Sequence, residues 1–161
     1  MGEHFCEVVP VYMRPQSMVE EQACFGIIVR CPSANFYGYR LAEGDETAIA
    51  RIASFFPRHG RAGLERAMTW ARQDIEYTFD LERNKGDRGA FANLIRPREN
   101  FVRYGRPQAV FTDDPAAELD DLYRRSVRER KPVTGCNPLT THFAVWYNGL
   151  QRRSREEAVG R

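Results

Sequence analysis

Apolar residues near the N-terminus alternate in steps of two. Over residues 4–12, Phe5, Val9 and Val11 fall on one face and Cys6, Val8 and Tyr12 on the other, which is the period of a β-strand. Pro10 interrupts the run, and because it has no N–H to give to a ladder it argues for an edge strand or a bulge. Residues 22–31 carry apolar side chains on both faces, with Ala23, Phe25, Ile27 and Val29 on one and Cys24 and Ile28 on the other. That is the pattern of a central strand. Gly26 in its middle leaves room for another group to approach closely. After a turn over residues 31–35, residues 36–41 supply a third, aromatic-rich strand, and the three segments together predict an antiparallel meander.

The period then changes. Glu43, Gly44 and Asp45 stop the third strand, Asp45 is placed to cap a helix, and Ile49, Ile52, Ala53 and Phe56 recur at helical spacing until Pro57. Over residues 62–81, Leu64, Ala67, Met68, Ala71, Ile75 and Thr78 form one stripe with charged residues opposite, an amphipathic helix. Residues 82–106 hold little periodic apolar content and are punctuated by Gly86, Gly89, Pro97 and Gly105, so they read as a long loop. Residues 108–112 look like a fourth strand. Asp114 followed by Pro115 marks a helix start, because the carboxylate satisfies an orphan N–H and proline at the first position has none to lose. Leu119, Leu122, Tyr123 and Val127 are its buried stripe. Beyond Pro132, Leu139, Phe143, Trp146 and Leu150 fit a helix whereas residues 140–147 are rich in strand formers, and both readings stay open. The expected fold class is α+β: a small antiparallel sheet, made of a three-strand N-terminal meander plus one later strand, packed against two or three helices. The expected organisation is one domain over residues 1–130 and a C-terminal extension, 131–161, packing on it, with its polar last residues disordered.

With 161 residues, 42% of them hydrophobic, one core burying about two-thirds of the unfolded surface is expected. No apolar run approaches the roughly twenty residues of a membrane span. Glu3 and His4 stand where a secretory signal would carry basic residues before an apolar stretch, so a cytoplasmic protein without membrane contact is expected. Cys6, Cys24, Cys31 and Cys136 then read as reduced thiols behaving as small hydrophobes. A net charge of +2 creates no global field to draw in nucleic acid, so any such attraction has to be local.

Several segments share one pattern. Glu21 precedes Phe25, Gly26, Ile27 and Ile28; Arg51 to Pro57 reads Arg-Ile-Ala-Ser-Phe-Phe-Pro. Arg98, Glu99 and Asn100 lead to Ala109 through Pro115 and to Leu119-Asp120-Asp121-Leu122. In order and spacing these resemble the bacterial family catalogued as domain of unknown function 3037, over roughly residues 5–130. The resemblance implies an uncharacterised bacterial protein without an assigned activity, some of whose relatives neighbour kinase-like toxin genes. It names no catalytic residues. Cys24 stands where the family's strand is expected to carry Asn.

Candidate chemistry is scattered. Zinc would need four converging ligands, yet His4, Cys6, Cys24, Cys31, His59, Cys136 and His142 show no such spacing, and no metal or cofactor is expected. Cys24 as a nucleophile would need a base and an orienting group, and nothing local marks either. Asp113 and Asp114 sit where a helix needs a cap, and Asp120 and Asp121 sit in its first turns, where negative charge complements the helix dipole. Glu21 and Gly26 are kept as functional candidates because they belong to the family-like segment.

The most distinctive feature is the stretch 83–106, with seven bases (Arg83, Lys85, Arg88, Arg96, Arg98, Arg103, Arg106) against Asp87 and Glu99, a local charge of +5. Phe91, Phe101 and Tyr104 interleave with them. Guanidinium groups and aromatic rings are enriched at the energetic centres of protein interfaces. They also grip phosphates and stack on exposed bases. Arg88, Arg96, Arg98, Phe101, Arg103 and Tyr104 are therefore the expected binding residues. The expected role is a non-enzymatic protein-interaction or regulatory module in a defence, toxin–antitoxin or mobile-element setting. Its partner would be another protein, a kinase-like or defence-system protein being the one the resemblance implies. The alternatives are nucleic-acid binding through the same loop and an enzyme of unknown type centred on Glu21 and Gly26. Trp70 reads as a packing residue.

Overall fold

Residues 2–14, 22–98 and 100–129 are described by the computed structural model. The N-terminal alternation forms β1 (His4–Met13), β2 (Ala23–Cys31) and β3 (Phe36–Leu41), paired antiparallel in the order β3-β2-β1, as the meander pattern predicts. The chain then leaves the sheet through α1 (Glu46–Phe55) and the long α2 (Gly60–Lys85). After a short α3 (Ala90–Leu94) it returns twice along the free edge of β1. β4 (Val102–Tyr104) pairs with Val11–Met13 and β5 (Gln108–Thr112) with His4–Val8, both antiparallel. Helix α4 (Pro115–Tyr123) follows and widens into a π-helical turn, Arg124–Arg128. The result is an α+β fold with a five-stranded open sheet.

Helices cover both faces of the meander. On β3, Tyr39 donates to Glu76 and Tyr37 stacks edge-on against Phe79, both on α2. The alternate residues turn the other way. Leu119 of α4 lies over Gly38, while Arg40 pairs with Asp120 at 2.5 Å and sits 4.6 Å from the Tyr123 ring. Two covered faces explain why Val8 to Met13 and Cys24 to Val29 are buried without alternation. Both predicted caps form: Asp45 Oδ1 accepts from the Ala48 amide at 3.2 Å and Asp114 Oδ1 from Ala117 at 3.0 Å. Asp45 also accepts the hydroxyl of the fully buried Tyr123 at 3.0 Å, which ties α4 to the start of α1.

Where sequence and structure part, the reasons are local. Pro10 lies in the interior of the sheet. A register shift follows it at Val11/Tyr12, and on its other side β4 ends and β5 has not begun. Its carbonyl accepts from Gly105 at 2.8 Å, so the missing N–H falls where the neighbouring strand is broken, and a Cβ on Gly105 would come within 2.6 Å of the Pro10 ring. The group that approaches Gly26 is Leu41 of β3, whose Cδ2 would lie 2.4 Å from an added Cβ. Residues 82–106 are no plain loop. They contain the last turn of α2, which ends at Gly86 in the left-handed region (φ 69°), then α3 and β4. A fifth strand thus joins the four expected. The expectations for Glu21, for Cys136 and His142, for the extension 131–161 and for the tail as helix or strand lie outside the described residues.

The far end of α2 is clamped to the sheet by one guanidinium. Arg30 of β2 donates to Glu7 of β1, and through Nε to Glu82 of α2 at 2.7 Å. Its guanidinium carbon sits 5.1 Å from the Phe91 ring of α3. The Glu82 side chain is only 7% exposed, so removing its cation strands a buried charge. Arg30→Ala is expected to cost about 3 kcal/mol or more, whereas the neutral pair Arg30→Met with Glu82→Gln should lose less; urea midpoints of the two variants check this. Gly26→Ala should lower stability by about 1–3 kcal/mol through overpacking, and adding Leu41→Ala should restore part of the loss in the same assay.

Candidate functional site

Helix α2 is long enough to present large side chains that stay substantially exposed among the described residues. Its buried stripe of Leu64, Ala67, Met68, Ala71, Ile75 and Thr78 faces the core, with Phe79 alongside, as the period predicts. On the opposite side Trp70, Asp74 and Tyr77 stand at i, i+4 and i+7, on adjacent turns of one face. Trp70 is 46% exposed and Tyr77 62%. Trp70 is nevertheless held: its ring meets Phe101 edge-on at 6.3 Å, and Phe101 in turn packs edge-on against His59, from the turn before α2, at 5.4 Å. The Phe101 carbonyl accepts from Arg14 at 2.8 Å, so the segment carrying that ring is an extension of the β1–β4 ladder.

A polar group adjoins the aromatic one. Arg98 donates to the Asn93 carbonyl at 3.2 Å and lies in the field of Asp74 and Tyr104. Burial raises the Asp74 carboxyl above its ordinary value, the Arg98 cation opposing the rise. Burial also raises the Tyr104 hydroxyl, with the Asp74 charge adding to the rise and Arg98 again opposing it. Among the described residues the buried Tyr104 Oη has no hydrogen-bond partner.

Of the residues expected from the sequence, Phe101 joins the ring cluster and Arg98 and Tyr104 join the polar group beside Asp74. Arg103 does not share that face. It is paired with Tyr12 on β1, whereas Val102 and Tyr104 on either side of it turn toward α2. Arg88 and Arg96 are exposed on either side of α3. Arg83 lies over the Tyr37 ring of β3 at 5.3 Å and Lys85 pairs with Asp80 of its own helix at 3.9 Å, so one base ties α2 to the sheet and the other serves α2 itself. Gly26 is filled by Leu41, and Glu21 lies outside the described residues. Trp70, Asp74 and Tyr77 were missed by sequence reasoning. The available signal was two large aromatics on the polar side of an amphipathic helix, where solvation gives them no reason to be.

The remaining candidates are dispersed. The Cys24 thiol donates to the Gly26 carbonyl at 3.3 Å inside the sheet. Asp120 pairs with Arg40, and Asp121 with Arg124 and Arg125. No three His, Cys, Asp or Glu side chains among the described residues come together as ligands for a metal ion, and no helix there is long and apolar enough to cross a membrane. Residues 10–127 match the model of a family described as Protein of unknown function (DUF3037). No curated protein and no solved structure matches the chain.

Asp74 yields a pH prediction. A carboxyl whose folded pKa lies above its unfolded one is bound by more protons in the folded state, so its presence lowers stability as pH rises through that range and costs most above it. Asp74→Asn should therefore be more stable than the parent at neutral pH. The difference should vanish in acid, where Asp74 is protonated folded and unfolded; thermal melts across pH check this.

Proposed function

Starting from a chain that belongs to the DUF3037 family, we propose that it is a non-enzymatic protein-binding module whose contact surface is the α2 face bearing Trp70 and Tyr77 together with residues 96–104. One observation carries this reading. The Trp70 ring is half exposed yet braced by Phe101 and, behind it, His59. A large ring held in place before binding loses little conformational entropy when a partner covers it, which is why Trp, Tyr and Arg dominate interface energies. Arg98 beside it adds a forked donor for a partner's carboxylate or backbone carbonyl. The partner chemistry that fits is an apolar or aromatic patch flanked by acidic groups, and the kinase-like or defence-system proteins implied by the family resemblance are the candidates to test for it.

The nucleic-acid alternative draws on the same arginines, but a phosphate track needs cations along one continuous surface. Arg103 turns to the opposite face from Tyr104 and the Arg98 field is offset by Asp74, which favours the protein reading. Affinity capture from lysate of the native host, followed by a binding titration with the purified captured protein, tests the proposal. Trp70→Ala and Arg98→Glu should each weaken that binding at least about tenfold, the scale of an interface hot spot. Undiminished binding by both variants, or binding to mixed oligonucleotides that falls steeply with salt, would refute it.

A further inference from the structure

Cys6 and Cys31 fall opposite each other across the β1–β2 ladder, one residue beyond the Glu7–Arg30 pair, which puts their side chains on the same face of the sheet. We infer that these two thiols form a redox-responsive pair that closes into a cross-strand disulfide when a peroxide oxidises it.

Three observations support the assignment. Residues directly opposite on antiparallel strands bring their Cα atoms to about 4.5–5.5 Å, inside the range a disulfide spans. Both sulfurs also converge on the same stretch of backbone, Cys31 Sγ donating to the Phe5 carbonyl at 3.4 Å and Cys6 Sγ to that of His4 at 3.8 Å. Finally, the pair has a hydrogen-bonded route to the surface: Cys31 Sγ lies 3.6 Å from Ser33 Oγ, which lies 3.3 Å from His4 Nδ1. Ser33 is exposed in the turn Pro32–Ala34 and His4 is half-buried at the start of β1. The third described cysteine, Cys24, donates to Gly26 within the sheet and faces Tyr12 on the ladder.

The two thiols are not equivalent. Burial pushes Cys6 up to about 12, and its hydrogen bond with Cys31 and the charges of Cys31 and Glu118 add to the rise. Burial acts on Cys31 as well, but hydrogen bonds from Cys6, Ser33 and the Ala34 amide outweigh it and hold that thiol below its ordinary value. Cys31, whose sulfur lies on the Ser33–His4 route to the surface, is the attacking sulfur. As thiolate it attacks one peroxide oxygen; an S–O bond forms, the O–O bond breaks, and hydroxide leaves and takes up the proton that Cys31 released through Ser33. The Cys6 sulfur then attacks the Cys31 sulfenic sulfur; the S–S bond forms, the S–O bond breaks, and water departs with the Cys6 proton. In sum two thiols and one hydrogen peroxide give one disulfide and two waters, the thiols losing two electrons that the peroxide gains.

The test exposes the full chain to graded hydrogen peroxide and maps linked peptides. Wild type and Cys24→Ser should both yield a peptide joining Cys6 to Cys31. The oxidised form should melt about 10 °C above the reduced form, because the bond closes a loop of some two dozen residues, and dithiothreitol should remove the increment. Cys6→Ser should leave Cys31 as a sulfenic acid that dimedone traps, while Cys31→Ser should give no trapped adduct at Cys6. Should the two thiols stay unlinked at peroxide concentrations that fully oxidise free glutathione, or should either one link to another cysteine instead, the assignment is wrong. Circular dichroism of each serine variant before oxidation separates a folding failure from a chemical one, and Cys31→Ala replaces any variant that does not fold.

Discussion

Ten residues of β1 have to satisfy backbone hydrogen bonds along two edges at once, and no single strand does this on the second edge. β2 pairs along one side from Glu7 to Met13. The other side is shared by β4 and β5, which meet β1 at its C-terminal and N-terminal halves. The break between them falls at the one residue of β1 that has no N–H. A donor placed there would be buried without an acceptor, at a cost of about 1–3 kcal/mol; proline removes the donor, and Gly105 lets the returning chain pass against its ring. This division of the edge places the rest: Phe101 and Tyr104 are set by β4 against α2, and Cys6 falls opposite Cys31 because β1 and β2 keep one register from Val11 back to Glu7.

The Arg30 clamp answers a second constraint. A helix of 26 residues extends past the width of a small sheet, and its last turns carry few apolar side chains to bury. Glu82 therefore reaches Arg30 on the sheet instead of adding to the core, Glu7 completes the pairing from β1, and Phe91 covers the guanidinium. A buried ion pair of this kind gains little net stability over apolar packing but penalises any other register of helix on sheet. With the far end of α2 held, its outer face projects Tyr77 and the Phe101-braced Trp70, both substantially exposed among the described residues. The proposed docking surface and the dithiol lie on different elements and respond to different chemistry, so a redox change at Cys6 and Cys31 stiffens β1 against β2 without touching Trp70.

The strands of the meander, the helix stripes and both aspartate caps were legible in the sequence, because periods of two and 3.6 and the cap residues act over a few neighbours and need no knowledge of the rest of the chain. The α+β class followed from their order. β4 was not legible: three residues are too few to show a period, and Val102–Tyr104 is a strand only because Val11–Met13 offers it an edge. For the same reason the run of arginines read as one basic patch, although pleating turns Arg103 away from Tyr104 and the helix supplies Asp74 beside Arg98.

Which groups meet was decided by tertiary structure alone. Linear order set Cys6 25 positions before Cys31 and Arg30 52 before Glu82, and only strand register and helix packing bring each pair into contact. Local residue types thus determined which elements form and where they stop. The site, the clamp and the thiol pair required the third dimension, since hydrogen bonding across strands and burial against helices join residues that no local pattern relates.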